Sequence, residues 1–139
     1  MPRYAPVAKL AGLDASYPRA TDIDVVERYQ GTGSTDFWGI SFAFSSFDQQ
    51  PLSREELERE LALLQACWAY FDNVRSSVSP EMRKGPRGGG RDRDPIVRHT
   101  FAAELDWSKK VGVLTPLEEM HTNAGLSAHR DGYCATLRE

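Results

Sequence analysis

Residues 53–78 constrain the fold most, because they are written as one long amphipathic helix with both ends marked. Ser53-Arg54-Glu55-Glu56 is a capping box. In that motif the serine hydroxyl takes a first-turn amide and the glutamate reaches back to the serine amide. Leu52 and Leu57 stand where a hydrophobic staple would close over the cap. Leu57, Leu61, Leu64, Trp68, Phe71, Val74 and Val78 then recur at steps of three and four, which stacks them on one face. Ser79-Pro80 stops the run. So apolar a face must be buried against other elements, and the rest of the chain has to supply them.

A second helix is expected from Asp94-Pro95, with Asp94 as N-cap and proline in the first helical position. Its apolar residues are Ile96, Val97, Phe101, Leu105, Trp107 and Val111. Lys109 and Lys110 complement the dipole at its end, and Gly112 closes it. Residues 81–93 (EMRKGPRGGGRDR) hold Pro86 and three consecutive glycines, so they form a loop. That loop reverses the chain, and the two helices are expected to pack antiparallel. Thr115-Pro116-Leu117-Glu118 is a second capping box, for a short helix to about His121. Ser127 is expected to cap a last helix to about Arg138, with Cys134 and Leu137 inward. Gly132 weakens that helix by roughly 1 kcal/mol relative to alanine.

The first third is written differently. Residues 3–11 suit a short helix ending at Gly12. Ile23, Val25 and Tyr29 share one face at a period of two, residues 30–36 are turn chemistry, and Trp38, Ile40, Phe42 and Phe44 alternate with small residues. Two readings stay open: a β-hairpin, or an irregular segment whose aromatics plug the helical core. The expected fold is therefore mainly α (α+β), with residues 1–46 as an N-terminal extended or hairpin-bearing arm and residues 47–139 as a small helical bundle.

Composition narrows the function classes. With 17 basic and 20 acidic residues the net charge is -3, which argues against nucleic acid as a partner. Apolar runs are too short for a membrane span, and no secretory signal opens the chain. The two cysteines, Cys67 and Cys134, form no C-x-x-C motif and no disulfide framework. The expectation is a cytoplasmic protein with reduced thiols. Cys67 lies on the apolar stripe and is expected to be a small core residue.

Several segments carry a family likeness: Arg3-Tyr4-Ala5-Pro6-Val7-Ala8-Lys9, Val25-Val26-Glu27-Arg28, Thr35-Asp36-Phe37, and above all Lys84-Gly85-Pro86-Arg87-Gly88-Gly89-Gly90-Arg91-Asp92-Arg93-Asp94 followed by Ile96-Val97-Arg98-His99 and Ala103-Glu104. On these residues the chain resembles a family of bacterial proteins with a DinB-like helical bundle, which in longer relatives follows a small HicB-type antitoxin-like domain. The resemblance implies a helical bundle, and a missing N-terminal α/β segment ahead of the Arg-Tyr-Ala-Pro stretch. It also brings a metal question. Typical DinB-like bundles bind a divalent metal through three histidines, one on the second helix and two spaced four apart on the last. His99 matches the first position, whereas His121 and His129 are eight apart and no H-x-x-x-H occurs. The expectation is that no cofactor is bound; were a divalent metal held, His99 would ligate it, and a carboxylate or His129 would complete the shell.

A second candidate site is the loop containing Arg83, Lys84, Arg87, Gly88, Gly89, Gly90 and Arg91. Consecutive glycines expose backbone amides that can nest an anion, and the loop runs into a helix N-terminus. It lacks the spacing of a Walker loop. Glu104 and Asp106, two positions apart, do not face each other as an acid/base pair.

Three functions are carried forward. The first is a DinB-like ligand-binding or regulatory module with an anion-binding glycine-rich loop. The second is a metal-dependent enzyme of the thiol-transferase or hydrolase type using His99. The third is an assembly module, a homodimer or a partner of the missing N-terminal domain, pairing through the first 46 residues. Phe37, Trp38, Phe42, Phe44 and Phe47 crowd that segment, and an exposed apolar patch of this kind marks an interface.

Overall fold

The computed structural model describes residues 4–13, 24–28, 30–33, 45–85 and 88–139. Among these the protein is mainly helical and contains no strand. We number the α-helices α1 (Tyr4–Leu10), α2 (Arg54–Ser77), α3 (Arg93–Ser108) and α4 (Asn123–Arg138); short 3-10 turns occupy Lys109–Val111 and Glu119–His121.

Helix α2 forms as its sequence dictates. Ser53 is its N-cap: its hydroxyl accepts from the Glu56 amide at 3.2 Å, and the Glu56 carboxylate accepts the Ser53 amide at 2.8 Å. The Ser53 hydroxyl also donates to the Glu56 carboxylate at 2.7 Å, and this bond, together with that from the Ser53 amide, holds the Glu56 carboxyl below its usual range. Leu52 is 58% exposed, so the staple contributes little at this end. Leu61 is buried, while Leu57, Leu64, Trp68 and Phe71 are half-buried and Val74 is exposed.

Helix α1 ends as expected. Gly12 sits at φ 70, the Leu13 amide donates to Ala8 O and the Gly12 amide to Lys9 O, the pair of bonds that defines a Schellman cap. Positive φ costs a glycine nothing, whereas any Cβ there is strained. Gly112, at φ 84, closes the turn after α3 in the same way, with the Val113 amide on Ser108 O. Helix α1 packs on α2 and buries Val7 and Ala8.

The hairpin expectation meets a partial correction. Residues 24–28, the body of the first expected strand, are described and are not a strand; residues 38–44 lie outside the described residues. Instead of a ladder, Glu27 accepts both the amide and the hydroxyl of Ser46. Val25 and Val26 are exposed, and Ile23 and Tyr29 lie outside the described residues.

Contacts fix the topology. Arg93 donates through Nη1 to Val78 O and through its amide to Pro80 O, and Phe71 packs with Val97 on the cluster around Phe101. Helix α3 therefore runs antiparallel to α2, as the loop composition requires. Glu58 pairs with Arg138, Trp68 meets Tyr133, and Asp72 pairs with Arg130, so α4 also runs antiparallel to α2. Helices α3 and α4 are then parallel, and residues 109–122 carry the chain back along α3. That return segment seals the core: Met120 is fully buried with Phe101, Leu105 and Leu126, and His121 packs edge-on to Phe101 with ring centroids 5.6 Å apart.

Three boundaries differ from expectation. The N-cap of α3 is Asp92 rather than Asp94, and Pro95 sits in the third helical position, where a missing amide is still tolerated. The second capping box does not form, because the Thr115 hydroxyl is taken by His129. Helix α4 starts at Asn123 rather than after Ser127: Thr122 caps it by accepting the Gly125 amide at 3.0 Å.

Candidate functional site

At the centre of the bundle, on α4, lies a buried cation. Arg130 is 8% exposed. Its Nε and Nη2 donate to the two oxygens of Glu104 on α3, each at 2.9 Å, and its Nη1 donates to Asp72 on α2 at 2.7 Å. Asp72 also accepts from Arg75 at 2.7 Å. The guanidinium stands 5.0 Å from the centroid of the Trp68 ring. Burial alone would depress its basicity, but the hydrogen bonds and charges of Glu104 and Asp72 outweigh it and raise the pKa. Every donor direction used is matched by an acceptor, as a buried charge requires.

This network separates two clefts that share Trp68. The polar cleft, about 350 Å³, lies between α2 and α4 and is lined by Gln65, Asp72, Arg75, Asn123, Ser127 and Asp131 among others. The aromatic cleft, about 340 Å³, draws on α2, α3 and α4. Its rings are Trp68, Phe71, Trp107 and Tyr133; Leu64, Ala103, Cys67, Thr100, Glu104 and His129 complete its lining.

His129 contributes a neutral polar edge. It is 4% exposed, and its Nδ1 lies 2.9 Å from the Thr115 hydroxyl. Burial lowers its pKa; the charge of Glu104 opposes that shift and the charge of Arg130 adds to it.

The expected site residues are not assembled into one site. His99 is exposed and does not line the cleft that His129 lines. Helical phase accounts for its exposure: Phe101, Leu105 and Ser108 face inward, and a residue two before Phe101 points about 200° away. Trp107, two after Leu105, is displaced in the same way, is 62% exposed, and carries Lys110 over its ring at 3.8 Å. Among the described residues no group of three or more histidine, cysteine or acidic side chains is placed to hold a metal ion. Cys67, expected in the core, is exposed on the rim of the aromatic cleft, while Cys134 is buried as expected.

The glycine-rich loop has its own internal order. Gly85 donates to Gly89 O, and Gly88 donates to Gly85 O. Gly88 and Gly90 take positive φ of 74 and 131. Lys84 pairs with Asp92, whose carboxylate also accepts the Met82 amide, so the Asp92 carboxyl is held below its usual range. One amide (Gly88) and one cation (Lys84) of the expected anion site are thus already engaged, as is the Gly85 amide in the same loop. Arg83 and Arg91 are exposed, and Arg87 lies outside the described residues. At the N-terminus of α3 the Arg93 amide is taken by Pro80 O, and Pro95 has none to offer.

The sequence reasoning missed Arg130, although a signal was present. Leu126, Arg130 and Cys134 are spaced by four on one face of α4, so an arginine was written into an apolar stripe.

Fold and site together define a small helical bundle with a buried, fully paired arginine and an aromatic cleft beside it. No known protein family, no curated protein and no solved structure matches the chain.

Proposed function

We propose that the protein is a small-molecule-binding module of DinB-like bundle architecture, and that the aromatic cleft is its binding site. One observation carries this reading: a cleft of about 340 Å³ whose walls come from three helices and include four aromatic rings with only a few polar groups among them. Ligand sites in helical bundles have this character, roughly 300–1,000 Å³ and mostly apolar. The Arg130–Glu104 pair supports the site by fixing α3 against α4 at the back of the cleft. The exposed position of His99 favours binding over metal-dependent hydrolysis as the role of this bundle. The glycine-rich loop serves, in this reading, as an ordered connector that sets the start of α3.

The test is thermal stabilisation by a set of small apolar compounds on full-length protein. A ligand at a hundred times its Kd adds about 2.7 kcal/mol by mass action. Ala103 lines the cleft, and Ala103→Phe places a ring inside it. The stabilisation is expected in the wild type and absent in Ala103→Phe. Equal stabilisation of both would reject the cleft as the site.

A second reading rests on exposed apolar residues after α3. Leu114 and Leu117 are 77% and 48% exposed, apolar surface suited to pairing two copies. Light scattering at micromolar concentration tests it: a monomer mass unchanged by Leu114→Ser removes it.

A further inference from the structure

We infer that the aromatic cleft selects a neutral, planar aromatic molecule of one or two fused rings over charged molecules of the same size. The inference rests on the cleft being a ligand site and adds the chemical class of its occupant.

The charges around the cleft carry the argument. None of its lining residues is a lysine or arginine. Its one carboxylate, Glu104, is held bidentately by the Arg130 guanidinium at 2.9 Å, so its charge is already neutralised and draws a cationic ligand only weakly. An anion finds no lysine or arginine in the lining and faces ring quadrupoles whose faces are negative.

Those same faces attract cations. Two of the rings already hold one: Lys110 stands over Trp107 at 3.8 Å and Arg130 over Trp68 at 5.0 Å. A second cation on the opposite face would meet like-charge repulsion across the ring. The remaining polar edge is His129, which burial keeps neutral, with Nδ1 directed to Thr115. Neutral flat rings escape all of these penalties and gain offset or edge contacts with Trp68, Phe71, Trp107 and Tyr133. The volume, at the low end of small-molecule sites, suits one or two rings.

The experiment compares one ring system in three charge states. Indole, tryptamine and indole-3-acetate are titrated calorimetrically into full-length protein, with decahydro-2-naphthol as a neutral non-aromatic probe. Cys67 at the rim reports occupancy through its rate of reaction with a maleimide, Cys134 being buried. Indole is expected to bind at least tenfold more tightly than the other three and to slow Cys67 labelling. Ala103→Phe, checked for unchanged helicity, is expected to abolish both effects. Tighter or equal binding of a charged analogue or of the alicyclic alcohol, lost in Ala103→Phe, would overturn the inference and leave the binding reading standing. Binding by none of the four, or a Cys67 that does not react in the free protein, would overturn both.

Discussion

Removing one member of the Arg130 network should expose how the three long helices are held together. Arg130 and Glu104 have side chains only 9% and 12% exposed, and their pairing is bidentate, whereas Asp72 is 32% exposed and keeps Arg75 as an alternative partner. Glu104→Leu therefore leaves a guanidinium at the bundle centre with two of its three hydrogen bonds gone. Breaking a buried pair from one side costs about 3–5 kcal/mol. Because Asp72 remains, the lower end applies, about 3 kcal/mol. Arg130→Met strands the Glu104 carboxylate and should cost a similar amount. The double variant Glu104→Leu/Arg130→Met removes both charges and fills the space with apolar atoms, while Asp72 still pairs with Arg75. It should lose less than the sum of the two single variants, by about 3 kcal/mol. For a chain of this length each single change lowers Tm by roughly 10 °C. Urea denaturation followed by far-UV circular dichroism measures all four corners of the cycle. Strict additivity, or single variants within about 0.5 kcal/mol of wild type, would show that the network does not hold the helices.

Two glycines in α4 should respond with opposite signs. A Cβ at Gly125 would lie 2.3 Å from Glu119 O and 2.9 Å from the Thr122 hydroxyl that caps the helix, so Gly125→Ala should cost roughly 1–3 kcal/mol; at Gly132 the nearest atom outside the helix backbone is Val113 Cγ1 at 4.0 Å, so Gly132→Ala should gain about 1 kcal/mol, both read from urea midpoints. Phe101 is 1% exposed at the core centre, and Phe101→Ala should lose about 3–5 kcal/mol in the same assay. His129 gives a pH signature. Its folded pKa is lowered, mainly by burial, so below the unfolded value of 6.5 the unfolded chain binds more protons and stability falls as pH drops from there towards the folded pKa. The slope of stability against pH in that window should flatten in His129→Gln, and an unchanged slope would assign it to other groups.

Helix existence was legible because it is written locally. Ser53 and Glu56 form a cap from residues three apart, and Gly12 and Gly112 end their turns through bonds that span only a few residues. Such signals need no knowledge of the partner surface. Phase was less legible. Listing the apolar residues of α3 included Trp107 beside Leu105, yet these lie about 200° apart, and only one can face the core. The same arithmetic misassigned His99. On α2 the apolar stripe is wide enough that Cys67 falls on its edge, and only the placement of α3 and α4 determines that this edge stays open to solvent.

The site was illegible for a further reason: it is made of residues that the apolar pattern treats as interruptions. Asp72, Glu104 and Arg130 are 32 and 26 positions apart along the chain, and each looks like a solvated charge on its own helix. Their burial becomes affordable only when the three meet, because each supplies what the others need: two carboxylates for one guanidinium with three donors in use. A single helix cannot reveal that reciprocity. What α4 alone does reveal is an arginine four residues after Leu126 and four before Cys134, inside an inward face. A cation so placed demands acidic partners on facing helices. Asp72 follows Phe71 on α2, and Glu104 lies three after Phe101 on α3, so both border the buried stripes of those helices. The aromatic cleft follows from the same meeting. Glu104 lines that cleft and the Arg130 guanidinium stands 5.0 Å from the Trp68 ring centroid, so the network and the cleft share a wall.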